Sequence, residues 1–230
     1  VMQKPSFKKA TAGGKSFTQK LIRKVKSIFK GLQKTDAGFW VYSPLSLPLH
    51  HIKIGRIINA ILLKLQICIA ARKLRIKNPI LWVACPAACD IAVKMSKSKL
   101  VYQRTDKFEE YPNVDYSIVK QYDQKLKAQA DLTIFVNETL YREESEQTNK
   151  SLYLDHGVDY ELFASALDEN YLPDEIKNIP RPIVGFFGGI DNHTSDIGLL
   201  EKTVELLPDY SFLLIGNASA DCSKLKSFRN

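Results

Sequence analysis

The chain has 230 residues, 45% apolar and 25% charged, proportions ordinary for a globular protein with material for one large core or two modest ones. Its formal net charge of +8 is unevenly spread. Residues 1–34 hold ten of the 33 Lys/Arg and none of the 25 Asp/Glu, so the remainder is slightly acidic, which argues against a nucleic-acid-binding face on the folded body.

Phe17, Leu21, Ile22, Val25, Ile28, Phe29 and Leu32 recur every three to four residues, with lysines and arginines between them. The spacing predicts an amphipathic basic helix over 17–34, suited either to packing on its own domain or to an anionic membrane surface. From residue 38 short apolar runs alternate with helical segments. "GFWVYSP" (38–44) reads as a strand stopped by Pro44, and 52–76 as a long Ile/Leu-rich helix. "ILWVAC" (80–85) and "KLVYQRT" (99–105) read as buried strands. A helix over 116–129, the strand "DLTIFVN" (131–137), a short charged helix (138–147) and the strand "SLYLD" (151–155) follow. Buried strands each followed by a helix predict an α/β fold with a parallel sheet covered on both faces.

"DENYLPDEIKNIPRP" (168–182), with three prolines and no apolar periodicity, reads as a linker. A second strand–helix–strand unit follows: "IVGFFGG" (183–189), a helix over 196–207, "YSFLLIG" (210–216), and a last helix starting near Ala218. Two strands cannot bury a sheet alone, so this second domain is expected to be incomplete. The expected division is 1–37 as a basic segment of the N-terminal domain, 38–167 as its Rossmann-like body, 168–182 as linker and 183–230 as the start of a C-terminal Rossmann-like domain.

Cys68, Cys85, Cys89 and Cys222 lack the partners of a zinc set and are expected to be unpaired buried thiols of a reducing compartment. No run reaches about 18 uninterrupted apolar residues, so no spanning helix is expected. The start lacks the apolar core of a secretory signal, and Val1 in place of Met suggests a fragment or a processed chain.

Chemistry-bearing residues gather at strand ends. Gly188 and Gly189 close one strand ahead of a helix, and Gly216 and Asn217 close the next. Ligands of open parallel sheets bind at such carboxyl ends, where glycine lets phosphate approach backbone N–H groups, although a purely conformational role is equally open. Arg104 and Asp106 follow a buried strand. Arg104 can meet a phosphate and Asp106 can orient a hydroxyl or act as a base, while a cap and a surface Arg–Asp pair are the plain reading. Glu109 and Glu110 read as a solvated loop. His156-Gly157, ending another strand, can be a catalytic base, a ligand contact or chain geometry. His50, His51 and His193 are isolated, and no Ser/His/Asp set or metal-spaced cluster stands out.

"SLYLDHGVDYELF" (151–163) resembles the HGVD…F segment of family 4-type glycosyltransferases, nucleotide-sugar enzymes with two Rossmann-like domains (the GT-B architecture). "WVYSPLSLP", "NPILWVACP", "LVYQRTDKFEEYP", "QADLTIFVNETL", "PIVGFFGGI" and "LLPDYSFLLIGN" follow in the order and spacing of the branch that includes teichuronic acid biosynthesis glycosyltransferases, over roughly 38–217.

The resemblance implies transfer of a sugar, with retention, from a nucleotide-diphosphate donor to a cell-surface polysaccharide or lipid-linked acceptor. It implies no cofactor and no metal. Gly188 and Gly189, with Gly216 and Asn217, are expected on the donor side, and Arg104 and Asp106 on the acceptor side. Asp106 and His156 are the weak catalytic candidates. His156, Gly157 and Asp159 form the expected hinge, with Asp159 capping the next helix and Phe163 anchoring the turn. Expected partners are a nucleotide-sugar, a glycan or lipid-linked acceptor and an anionic membrane surface met by residues 17–34, with no nucleic acid. The expected location is cytoplasmic, peripheral on the inner face of the plasma membrane. The family's first strand and glycine turn are expected before Val1 and its acidic donor motif after Asn230, so the chain alone is expected to be inactive. The alternatives are a non-catalytic two-lobed nucleotide-sugar or carbohydrate-binding module and, less favoured, a nucleotide-sugar epimerase.

Overall fold

The computed structural model describes residues 31–47, 52–167 and 173–230. The chain divides into two compact units, Val1–His156 and Gly157–Asn230, a division that falls ahead of the linker expected at 168–182. The class is mixed α/β, with a four-stranded parallel sheet flanked by helices that is compatible with a Rossmann-like domain.

The first unit opens with an antiparallel hairpin of β1 (Leu32–Lys34) and β2 (Trp40–Tyr42), in the register Leu32↔Tyr42 and Lys34↔Trp40. This corrects two expectations. The basic helix does not run to Lys34, and Trp40–Tyr42 does not join the parallel sheet. Gly31 and Gly38 both adopt positive φ, 63° and 87°, which interrupts helical geometry at 31 and closes the turn at 35–39. Thr35 completes that turn by donating from its N–H and its Oγ1 to the Phe39 carbonyl. The rest of the expected basic helix lies outside the described residues.

Helix α1 (Lys53–Lys73) comes next. Its two amides turn to the segment before it: Asn59 bonds both the N–H and the carbonyl of Leu47, and Gln66 does the same for Leu45. The extended 45–47 segment therefore satisfies its backbone on two helix amides. One apolar row of α1, from Ile54 to Ile69, faces outward, while Leu62, Leu63 and Ile67 are half-buried. Among the described residues α1 is the one helix long and apolar enough to cross a membrane by length and composition alone. Arg56 and Lys64 punctuate its sequence, so it holds no run of 18 uninterrupted apolar residues.

The sheet itself is β3 (Ile80–Val83), β4 (Lys99–Arg104), β5 (Leu132–Phe135) and β6 (Ser151–Tyr153), parallel and in chain order. Crossovers pass through the short α2 (Cys89–Ala92), through α3 (Tyr116–Gln129) and through α4 (Glu138–Glu144). Asp115 caps α3 and Asn137 caps α4, each accepting from a backbone N–H three residues on. One face of β3 and β4 packs against α2 and α3 in a core of Val83, Cys89, Leu100, Tyr102, Tyr122 and Leu126. All four cysteines are unpaired, but only Cys89 is buried; Cys68, Cys85 and Cys222 are half-buried.

The second unit contains α5 (Tyr160–Ala164), a single helical turn α6 (Asp174–Lys177), β7 (Ile183–Phe187), α7 (Ile197–Leu206) and β8 (Ser211–Ile215). Strands β7 and β8 pair in parallel from Ile183↔Ser211 to Phe187↔Ile215. Among its described residues only Ile190 and Val204 are buried, since two strands and one helix enclose little. The helix expected from Ala218 does not form. Ser219 and Ala220 instead donate their N–H groups to the Ile190 carbonyl, and Asp221 ties down Ser223, leaving one tight turn at Leu225–Ser227. Of the expected linker, 168–172 lies outside the described residues.

Candidate functional site

The carboxyl edge of the four-stranded sheet rests on a buried ionic cluster. Arg104, the last residue of β4, is fully buried. Its Nη1 and Nη2 donate to the two carboxylate oxygens of Glu109 at 3.0 Å each. Its Nε and Nη2 donate to Glu144 at 3.2 and 3.3 Å, and Nε lies 3.3 Å from Asp123. Lys127 ion-pairs with Asp123 and Glu144 at 2.8 Å each, and Lys120 with Glu109 at 2.9 Å. Three cations thus face three carboxylates, so the cluster is neutral as a whole. Tyr102 also donates to Asp123, at 2.8 Å.

Burial pushes Glu109 upward, yet the bonds from Arg104 and Lys120 outweigh it and hold the carboxyl at about 2. Glu144 is likewise opposed by burial and lowered by Lys127 and Arg104. Burial first, and Asp123 second, raise the Tyr102 phenol.

This geometry changes the place of Arg104. The plain reading as a surface pair with Asp106 does not hold, because the guanidinium turns inward from the strand end and is occupied by Glu109 and Glu144. Glu109 is buried with it, not solvated, whereas Glu110 is exposed. The two glutamates sit on a 3₁₀ turn, Phe108–Glu110, which sets successive side chains about 120° apart, so one is buried and the next is exposed. Asp106 stays exposed at the rim and accepts from Tyr111 at 3.0 Å. The Arg104–Glu109 fork closes the loop that carries it, so Asp106 is presented on a braced turn.

His156, also exposed, donates its backbone N–H to Asp155 at 2.7 Å, and Asp155 accepts from Tyr153 as well. Asp159 caps α5 by accepting from Leu162 at 3.1 Å. Gly157 keeps an ordinary φ, and a Cβ there would meet nothing within 4 Å, so the turn does not itself require glycine. Phe163 is exposed and does not anchor that turn by burial.

In the second unit, Gly188, Gly189, Gly216 and Asn217 come together at the carboxyl ends of β7 and β8. Gly188 (φ 145°) donates to Ile215, and Ile190 donates to Asn217, continuing the ladder beyond the strands. A Cβ on Gly216 (φ 153°) would lie 1.7 Å from the Gly188 carbonyl oxygen, so these two backbones cross where only glycine fits. The loop to α7 is ordered by Asp191, which accepts from the N–H groups of His193 and Thr194 at 2.8 Å each. Those two backbone bonds, Thr194 first, hold the Asp191 carboxyl below its usual range. Asp196 then caps α7.

A cavity of about 240 Å³ in the first unit, beside the start of α1, is lined by Lys53, Arg56, Lys125, Asp90 and Tyr122 among others. Tyr122 donates to Asp90 there. No group of three or more His, Cys, Asp or Glu able to hold a metal occurs among the described residues.

The ionic cluster is the main feature that sequence reading missed. Its signal lay in α3, where Asp123 and Lys127, four residues apart, share the inward face with Val119, Tyr122 and Leu126. A scan against protein-family models finds no match, and a search of curated proteins finds none either.

Proposed function

We propose that this protein serves sugar transfer from a nucleotide-diphosphate donor, as a glycosyltransferase of the two-domain Rossmann-like type. The supporting observation is the pair of glycine-marked ends of β7 and β8, adjacent in a parallel arrangement and followed by the capped helix α7. Glycine at those ends leaves room for a diphosphate to approach the backbone, and the charge on that group grows as the anomeric carbon–oxygen bond breaks. The acceptor hydroxyl oxygen forms the new glycosidic bond, and its proton leaves with the nucleotide diphosphate.

On this reading the first unit holds the acceptor, with Asp106 on its braced rim as the group that orients the hydroxyl. His156 and Gly157 serve as the hinge, supported by the division of the chain at that bond.

The experiment is calorimetric titration of the protein with UDP, GDP and their sugars. Binding of one base in preference to the other, with UDP or GDP competing against its sugar, is the expected result. Absence of binding to every nucleotide overturns the reading. Binding without transfer or hydrolysis, in the presence of varied acceptors, supports the non-catalytic module instead.

A further inference from the structure

We propose that α1 is a membrane-surface helix whose outward row Ile54, Ile57, Ile58, Ile61, Leu65 and Ile69 enters the interface of an anionic phospholipid layer. The inference is independent of the transferase reading.

The six side chains are 44–68% exposed. At 3.6 residues per turn they span roughly 120° of the helix circumference, an apolar stripe of the width an interfacial helix buries. Inward rotation of the stripe is blocked. The opposite side of α1 is fixed to its own unit by Asn59 on Leu47 and Gln66 on Leu45, and Lys64 donates to the Lys94 carbonyl.

Charge selects the occupant. Between Ile52 and Asn78 the chain carries seven Lys/Arg and no Asp or Glu. Lys53 and Lys64 border the stripe, and Arg72, Lys73, Arg75 and Lys77 gather where it ends. A second copy would bring seven like charges against seven, which is repulsive, whereas anionic headgroups are complementary to them. The cavity at the start of α1 extends this match. Lys53, Arg56 and Lys125 line it against the single carboxylate of Asp90, and no acidic residue occupies the first turn of the helix, so its positive dipole end adds to the field. It offers a phosphate-bearing headgroup a cationic recess beside the Ile57 edge of the stripe.

The helix lies on the layer and does not cross it. Arg56, Asn59, Lys64 and Gln66 fall along its length, and a spanning position would place them in hydrocarbon and break the bonds to Leu45 and Leu47.

The test is co-sedimentation of the full 230-residue chain with vesicles of phosphatidylcholine, with and without phosphatidylglycerol. Binding is expected only to the anionic vesicles, falling as salt rises. Ile61→Glu with Leu65→Glu should weaken it at least ~10-fold, and Lys53→Gln and Lys73→Gln about fivefold each. Both apolar positions are exposed, so far-UV circular dichroism should show an unchanged fold in the double variant. Undiminished binding of that double variant overturns the proposal, including the case where deletion of residues 1–30 abolishes binding instead. Equal binding to phosphatidylcholine alone also overturns it. So does concentration-dependent self-association that the double variant removes, which would assign the row to a second copy.

Discussion

Arg104 and Glu109 meet through two parallel hydrogen bonds of 3.0 Å, both side chains withdrawn from solvent although only five residues separate them in the chain. The fork converts the segment after β4 into a closed loop and sets Asp106 at its rim. A bidentate pair of this kind is strong, but its worth depends on every charge around it being answered.

The costs of removing the two members should therefore not add. Glu109→Gln is expected to destabilise the first unit by about 3–5 kcal/mol, because Arg104 loses its fork while staying buried. Arg104→Met should be comparable, since Glu109, Asp123 and Glu144 then share one fewer cation. Arg104→Met with Glu109→Gln should cost less than the sum of the two single changes. Urea unfolding of the four proteins, read as a double-mutant cycle, checks the coupling.

Acid should loosen the first unit through the same group. Glu109 has a folded pKa of about 2 against an ordinary 4.5, so the stability it contributes is present above 4.5 and is lost as pH falls toward 2. Glu144, also lowered, adds in the same direction. Circular dichroism across that window should show a transition in the native protein, and a flatter profile in Glu109→Gln at pH values where it is still folded.

Alkali should act through Cys89. Burial pushes its thiol from 9.0 up to about 11, so the neutral form favours the folded state below 9 and that contribution fades between 9 and 11. At pH 8 a thiol reagent should modify Cys68, Cys85 and Cys222 well before Cys89. Mass spectrometry of digests reads the order, and early labelling of Cys89 would contradict the buried position.

Gly216→Ala should damage the second unit. The positive φ alone costs about 1–3 kcal/mol, and the added Cβ must also displace the Gly188 carbonyl. The expected signs are faster amide exchange at Ile190 and Ala218, whose bridge lies just beyond the crossing, and loss of any nucleotide binding.

Asp196→Ala removes the cap of α7 and should cost ~1 kcal/mol, whereas Asp196→Asn should cost less. Thermal unfolding of both variants gives the comparison.

Much of the fold was legible in order and kind. The four parallel strands, α3 at 116–129 and the strand–helix–strand of the second unit follow from apolar runs and helical spacing, both of which act within a few residues. The candidate residues at strand ends were legible for the same reason, because a strand's carboxyl end is where its apolar run stops. Only the tertiary structure decided what those residues touch. Arg104 reads as a ligand-facing or surface cation until Glu109, Asp123 and Glu144, from three different elements, are brought around it. Gly216 reads equally as a phosphate-facing or a conformational glycine, and neither reading reveals that the Gly188 carbonyl lies against it. The Ile/Leu-rich helix over 52–76 shows no inward side in its sequence until Asn59 and Gln66 claim one. Local pattern gives the kind and order of most elements, while burial, ion pairing and backbone approach depend on neighbours distant in the chain, which no periodicity records.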